Sequence, residues 1–214
     1  MPSVTRKTSS SRQVRREAIV AQMLGVTEAL LSEGETFTEL SVERLIGAAG
    51  ISRSTFYVYF EDKGTLLVAL AENVVQQLVG TAQGWWELPD TATRDDVEQA
   101  LRGIVDVFFS HALIWSALVD ASSYDGKVRE SFREVVDGAA AGLAKHIKDG
   151  QKTGSVRPGL DPKRTAEWLT WMTERGLYQL VADASPAEVT KLCRAQTDIV
   201  WSTLYEGTKH RGAG

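Results

Sequence analysis

Apolar residues recur at three- and four-residue intervals along most of this chain, and no alternation of apolar and polar positions lasts more than a few residues. That periodicity belongs to helices, not strands. A first long helix opens at Ser11 or Arg12 and runs to Leu31, with Ile19, Met23, Val26, Leu30 and Leu31 as its stripe. Val42, Leu45, Ile46 and Ala49 mark a short second helix, and residues 53–59 a third. From F-E-D-K onward, Leu66, Leu67, Leu70, Val74, Val75 and Leu78 repeat at helical spacing. This fourth helix ends at Trp85 or Trp86, a length of ~36 Å at 1.5 Å per residue. Val97, Leu101, Ile104, Val105, Phe108 and Phe109 form the face of the next, which carries Asp95, Asp96 and Glu98 at its positive end. Further helices are expected over 112–122, 126–150, 162–183 and 186–206. The run G-S-V-R-P-G-L-D-P separates the seventh from the eighth, and Pro186 starts the ninth from its first position. The fold class is all-α with about nine helices.

The stretch from Leu40 to Leu67 carries the most information. Ser41 suits the cap of the second helix, its side-chain oxygen accepting from free backbone N–H groups of the first turn. Gly50 suits the left-handed position that ends that helix, Ile51 fills the corner, and Ser52 caps the third helix. Two helices joined by a three- to four-residue turn containing glycine make a helix-turn-helix, whose second helix enters the DNA major groove.

The run G-I-S-R-S-T-F-Y-V-Y-F-E-D-K-G-T-L-L, residues 50–67, resembles the signature of the TetR family of one-component transcriptional regulators, A-G-[VI]-S-x-x-[TS]-[LF]-Y-x-[YH]-F-x-x-K-x-x-L-[LF]. The likeness covers residues 12–80. F-Y-V-Y-F-x-x-K, V-F-F and M-T-E-R resemble the mycobacterial branch of that family, which includes the ethionamide-activation repressor. The resemblance implies a head of three helices (12–60) that binds DNA and a helical body (61–214) that binds a ligand and dimerises, preceded by a disordered basic arm (1–11). It also implies that Ser41, Ser52, Ser54, Thr55, Tyr57, Tyr59 and Lys63 meet the duplex, mostly at phosphates, which fix register. Arg53 and Ser54 stand where family members touch base edges, and Arg53 is the candidate for a guanine, because its fork matches O6 and N7, with contact to phosphate alone as the alternative. Ile51, Phe56 and Phe60 are expected in the core. Glu43 stands where many members carry a DNA-compatible residue, and is expected to face away or to pair with Arg44.

The charge distribution agrees with contact at one end. Net charge is −4, yet residues 1–16 hold Arg6, Lys7, Arg12, Arg15 and Arg16 and no acid. Residues 1–63 balance eight basic against eight acidic residues, so the remainder carries the whole acidic excess. A single cysteine, Cys193, excludes an intramolecular disulfide framework. No apolar run suggests a membrane span and no signal peptide is visible, so a cytoplasmic protein is expected.

The body is rich in aromatics: all six tryptophans follow residue 84. Trp85, Phe108, Phe109, Trp115, Phe132, Trp168, Trp171, Met172 and Tyr178 are candidates to line an apolar effector pocket, with Thr173 and Glu174 as polar anchors. The bland alternative is plain core or interface packing. Leu177, Leu180, Val181, Val189, Leu192, Cys193, Ile199, Val200, Leu204 and Tyr205 supply more apolar surface than two helices bury on one side. A homodimer through 162–183 and 186–206 would use the excess and match a palindromic operator. The expected partners are therefore double-stranded operator DNA, an apolar or aromatic small molecule and a second copy. No cofactor, metal or catalytic residue is called for: His111, His146 and His210 are far apart and no H-E-x-x-H, phosphate loop or dinucleotide fingerprint occurs. The sequence does not separate repressor from activator. An all-α enzyme and a scaffold that uses the motif only for protein contacts are the readings from other classes.

Overall fold

The computed structural model describes residues 5–89, 91–182 and 184–208, with side chains from Ser11 onward. Among them are nine α-helices: α1 (Thr5–Ser32), α2 (Val42–Ala49), α3 (Arg53–Tyr59), α4 (Lys63–Trp86), α5 (Arg94–Ser110), α6 (Ala112–Tyr124), α7 (Gly126–Thr153), α8 (Pro162–Gly176) and α9 (Pro186–Leu204). No strand occurs among the described residues.

Helix ends follow the expected chemistry. Ser41 accepts from the Arg44 N–H and Ser52 from the Thr55 N–H, while Gly50 ends α2 in the left-handed region at φ 64°. Thr93 and Asp96 form a reciprocal capping box on α5. Asp161 and Ser185 cap α8 and α9, each with proline just inside.

Two helix boundaries differ from expectation. Helix α1 begins at Thr5, not Ser11 or Arg12, so residues 5–11 of the expected arm are helical backbone; residues 1–4 lie outside the described residues. No glycine or proline interrupts 3–24, and the intrahelical ladder continues through the Ser/Thr-rich stretch. The eighth helix does not run unbroken to 183. It passes at Leu177–Val181 into a wider π turn, where the Ala182 N–H reaches the Leu177 carbonyl at 3.1 Å. Helix α4 is also apolar and long enough to cross a membrane by length and composition. Leu66, Leu67, Leu70 and Val74 are fully buried, the pattern of a core helix.

The chain forms two compact units. The first comprises residues 1–73 and 113–132: α1 to α3, the beginning of α4, nearly all of α6 and the start of α7. Met23, Leu40, Leu45, Phe56, Phe60, Leu66, Leu67 and Leu70 are at most 1% exposed and form its core. The expected boundary after Phe60 therefore moves into α4, because the leucines of its first two turns belong to the head's core. Gln22 of α1 donates to the carbonyl of Ala49 at 2.7 Å, closing the C-terminus of α2. The second unit comprises residues 74–112 and 133–214. There α5 pairs with α9, clamped by Arg94, which donates to Asp198 at 2.7 Å and to Glu98 at 2.8 Å.

Candidate DNA-binding head and effector cavity

In the first unit, α3 is seven residues long and divides sharply. Phe56 is fully buried, whereas Arg53, Ser54, Tyr57 and Val58 are exposed, Tyr57 by 47% and Val58 by 67%. Tyr59 is half-buried beside Phe60, and Ile51 is half-buried where full burial was expected. The hydroxyls of Ser52, Ser54 and Thr55 form a linked cluster at the start of α3, with oxygens 2.8 Å apart. Ser41 sits exposed at the start of α2. Outward on this surface are thus hydroxyls, a phenol and one guanidinium.

The charged residues are arranged differently from expectation. Glu43 bonds not to Arg44 but to Arg53, whose Nη1 lies 2.5 Å from its carboxylate oxygen. Arg44 is taken by Glu35 and Glu33, at 3.0 and 3.3 Å. Arg53 also lies over the Tyr57 ring, its Cζ 5.6 Å from the centroid.

Lys63 departs furthest from its expected phosphate contact. Its ammonium donates to the carbonyls of Phe37, Thr38 and Leu40, at 2.9, 2.8 and 2.6 Å. An ammonium has three N–H donors, and all three point into the loop between α1 and α2. Burial pushes its pKa below the ordinary lysine value, and the carbonyl cage stabilises the charge there. The motif places a lysine at the start of α4, but spacing carries nothing about where a flexible four-carbon stem turns.

The aromatic residues expected to share one pocket are divided between the units. Trp115 and Phe132 belong to the first, in edge-to-face contact at 5.4 Å. Trp85, Phe108, Phe109, Trp168, Trp171, Met172, Thr173, Glu174 and Tyr178 belong to the second. Trp168 is 79% exposed and Phe109 is exposed as well, whereas Phe108 is buried core. Glu174 is buried, with Arg175 3.7 Å away, and Arg175 lies over Tyr178. Met172 and Thr173 line a hollow of about 140 Å³ with Leu177, Leu180, Cys193 and Ile199, on the face of α8 and α9.

A larger cavity of about 590 Å³ lies in the second unit, between the end of α4 and the last turns of α7. Val79, Gln83, Trp86, Glu87 and Leu88 form one wall; Gly142, Lys145, His146, Asp149 and Thr153 form the other. None of the expected lining residues borders it. Trp86 is seated against Gly142, where a Cβ would come within 2.6 Å of the indole Cη2. Its buried Nε1 has no hydrogen-bond partner. Trp85 points elsewhere: it donates to the Tyr205 hydroxyl at 2.8 Å, which is itself 2.8 Å from His146 Nε2. Hydrogen bonds from Lys152 and then Lys145 pull the Asp149 pKa down to about 2. The glycine at 142 was the available sequence signal for this seat, but a single glycine does not announce which ring approaches it.

Residues 26–70, which hold this turn and α3, match the family model for bacterial regulatory proteins of the tetR family. Residues 97–206 match the model of the C-terminal domain of the transcriptional regulator EthR, over half of the chain. The chain belongs to the TetR family. It is a transcriptional regulator with an EthR-type C-terminal domain. It is 26% identical to the HTH-type transcriptional regulator EthR of Mycolicibacterium smegmatis over 211 residues, covering 97% of this chain and 93% of that one. With EthR of Mycobacterium tuberculosis it shares 29% identity over 166 residues, 77% of this chain and 76% of its relative. Among solved structures, the TetR family regulator PfmR from Thermus thermophilus superposes with a TM-score of 0.62 at 17% identity, covering 85% and 97% of the two chains. FadR from Bacillus subtilis, solved in complex with stearoyl-CoA, superposes with a TM-score of 0.67 at 14% identity, covering 84% and 96%. These two likenesses show the fold alone.

Proposed function

We propose that this TetR-family regulator is a repressor that binds an inverted-repeat operator as a two-fold dimer and leaves it when a small molecule occupies the body. The observation that carries the DNA part is the outer face of α3. A helix of seven residues that buries Phe56 and exposes Arg53, Tyr57 and Val58 gains nothing from that exposure in water. Such a face is suited to a groove, with Arg53 toward a guanine, Val58 toward a thymine methyl, and Ser41, Ser54, Thr55 and Tyr57 toward phosphates. Lys63 is not in this set, because its donors serve the loop.

Dimerisation is assigned to the α8–α9 face. Leu180 and Ile199 are 59% and 45% exposed there, and Leu180 lies within the π turn. A second copy would cover both. The effector site is assigned to the cavity between α4 and α7, whose size suits a small ligand. Its indole wall and its mixed rim of Lys145, Asp149 and Glu87 favour an amphiphilic molecule. FadR's stearoyl-CoA shows that a member of this fold can hold an acyl chain. A ligand that fits only the DNA-incompetent conformation lowers operator affinity by its differential affinity for the two states and no more.

The test is a fluorescence-anisotropy titration on duplexes selected from the DNA flanking the gene, followed by ligand titration monitored through tryptophan emission. Selection of an inverted repeat by a dimer, and its release by a ligand whose binding Gly142→Leu abolishes, is the expected result. A monomer that selects no duplex would refute the DNA part. A ligand that binds the cavity without changing operator affinity would refute the sensor part.

A further inference from the structure

We propose that Glu43 is a specificity-determining residue: it holds the Arg53 guanidinium in the orientation that reads a base and lowers affinity for every other sequence. The inference rests on the DNA-reading function proposed above.

Arg53 occupies the first position of α3, beside Ser52, the cap. The positive end of a helix dipole does not favour a cation there, so α3 itself gives Arg53 no electrostatic reason to stay in place. Two neighbours hold it. Glu43 of α2 accepts from Nη1 at 2.5 Å, and the Tyr57 ring lies 5.6 Å from Cζ. Both side chains of the pair are more than 60% exposed. Exposed ion pairs of this kind contribute little to folding; Glu43 also stands in the first turn of α2, where the helix dipole favours an acid, but that does not direct its carboxylate to Arg53. Arg44 does not compete for Glu43, because its guanidinium already bonds Glu33 and Glu35.

The bond to Glu43 uses Nη1. The parallel pair of N–H groups on Nε and Nη2 is thereby left to act together, one of the two forks of a guanidinium able to meet guanine O6 and N7. A tether on Nη1 removes the rotations that would turn the fork toward a phosphate. The carboxylate has a second effect. Standing beside the recognition residue, it repels the phosphates of any duplex that does not offer Arg53 a base. Specificity then arises from a strengthened correct contact and a penalised wrong one.

The test is selection from a randomised duplex pool with four full-length proteins in parallel: wild type, Arg53→Ala, Glu43→Gln and the double variant. Wild type is expected to select guanine at one position of each half-site and Arg53→Ala to lose that preference. Glu43→Gln should weaken the same preference by about fivefold while tightening binding to an unrelated duplex by about threefold, with its thermal midpoint lowered by no more than the loss of one first-turn acid of α2 explains. In the Arg53→Ala background the Glu43 substitution should no longer affect that position. A Glu43→Gln protein with wild-type base preference overturns the proposal, as does a loss spread over positions that Arg53→Ala does not touch. If wild type selects no sequence, the DNA-reading function itself fails and the proposal falls with it, an outcome distinct from the first two.

Discussion

Replacing Lys63 separates two roles that a lysine at this position could have. Its three N–H groups go to the carbonyls of Phe37, Thr38 and Leu40. The Thr38 bond is at an exposed site, where water can replace the ammonium at small cost. The Phe37 and Leu40 bonds are part-buried. A charge-assisted bond contributes about 1.5–3 kcal/mol, and a carbonyl that regains some water on substitution costs less than a sealed one. Taking about 1–2 kcal/mol for each of the two, Lys63→Met should lose about 2–4 kcal/mol. It is the sharper variant, because its stem fills the channel without bringing a donor. Lys63→Arg should recover only part of the loss, since a planar fork cannot aim three donors at one converging cage. The assays are urea unfolding without DNA and operator binding between about 50 and 200 mM salt. A phosphate contact would add about 0.9 to the salt slope. The expected result is therefore lower stability with the slope unchanged for the folded fraction. A Lys63→Met protein of nearly wild-type stability whose salt slope falls by about one unit would refute the reasoning and restore the phosphate role.

Other consequences are simpler to state. Gly50→Ala should cost about 1–2 kcal/mol in thermal unfolding. The cause is the left-handed backbone at φ 64° alone, since a Cβ there meets nothing within 4 Å; Gly50→Asn should cost less. Burial, and then the charge of Glu98, push the Cys193 thiol above its ordinary pKa. The folded protein should thus resist a disulfide reagent at pH 8 and react at once in denaturant, and fast labelling of the native protein would contradict the buried placement. Leu180→Glu should give a monomer by analytical ultracentrifugation with its helical circular dichroism intact, and a dimer that tolerates the charge would remove the α8–α9 face from the interface.

Much of this architecture was legible in the sequence because it is local. Caps at Ser41 and Ser52, the left-handed Gly50, Pro186 at the start of α9 and the 3.6-residue stripe of α4 each depend on residues a few places apart, which spacing records. The outward side of α3 was legible for the same reason: in so short a helix, burying Phe56 decides where Arg53 and Tyr57 point. What the sequence concealed is non-local and concerns side-chain ends. Glu43 stands beside Arg44 in the chain, yet its carboxylate crosses to α3 while Arg44 reaches back to Glu33 and Glu35. Aromatic abundance suggested one pocket, but Trp115 and Phe132 serve the core of a different unit from Trp85 and Trp171. The 590 Å³ cavity is instead bounded by Trp86, Gly142 and a mixed set of charges, a combination with no periodic signature. The π turn was hidden too, since Leu177–Val181 continues the apolar pattern of α8 without a glycine or proline inside it.

The occupied cations of the head constrain how this regulator meets DNA. Arg44 is neutralised by two carboxylates, Arg53 by one, and Lys63 is committed to backbone carbonyls. Arg16 lies 3.9 Å from Glu72. Apart from the basic run at residues 1–16, the cations around the recognition helix are engaged with the head's own groups and leave that surface little surplus for the counterion release that drives sequence-independent binding. On the reading proposed above, phosphate contact at the recognition surface would fall to the hydroxyls of Ser41, Ser54, Thr55 and Tyr57, with backbone N–H groups at the helix starts. Such contacts are short-ranged and depend on register. Under the dimeric operator binding proposed above, only a duplex that seats both α3 helices would collect them, and a displacement of either head would forfeit most at once. Under the ligand release proposed above, a modest effector coupling of ~1–3 kcal/mol would then change occupancy, because this surface adds little non-specific affinity to hold the displaced protein on the DNA.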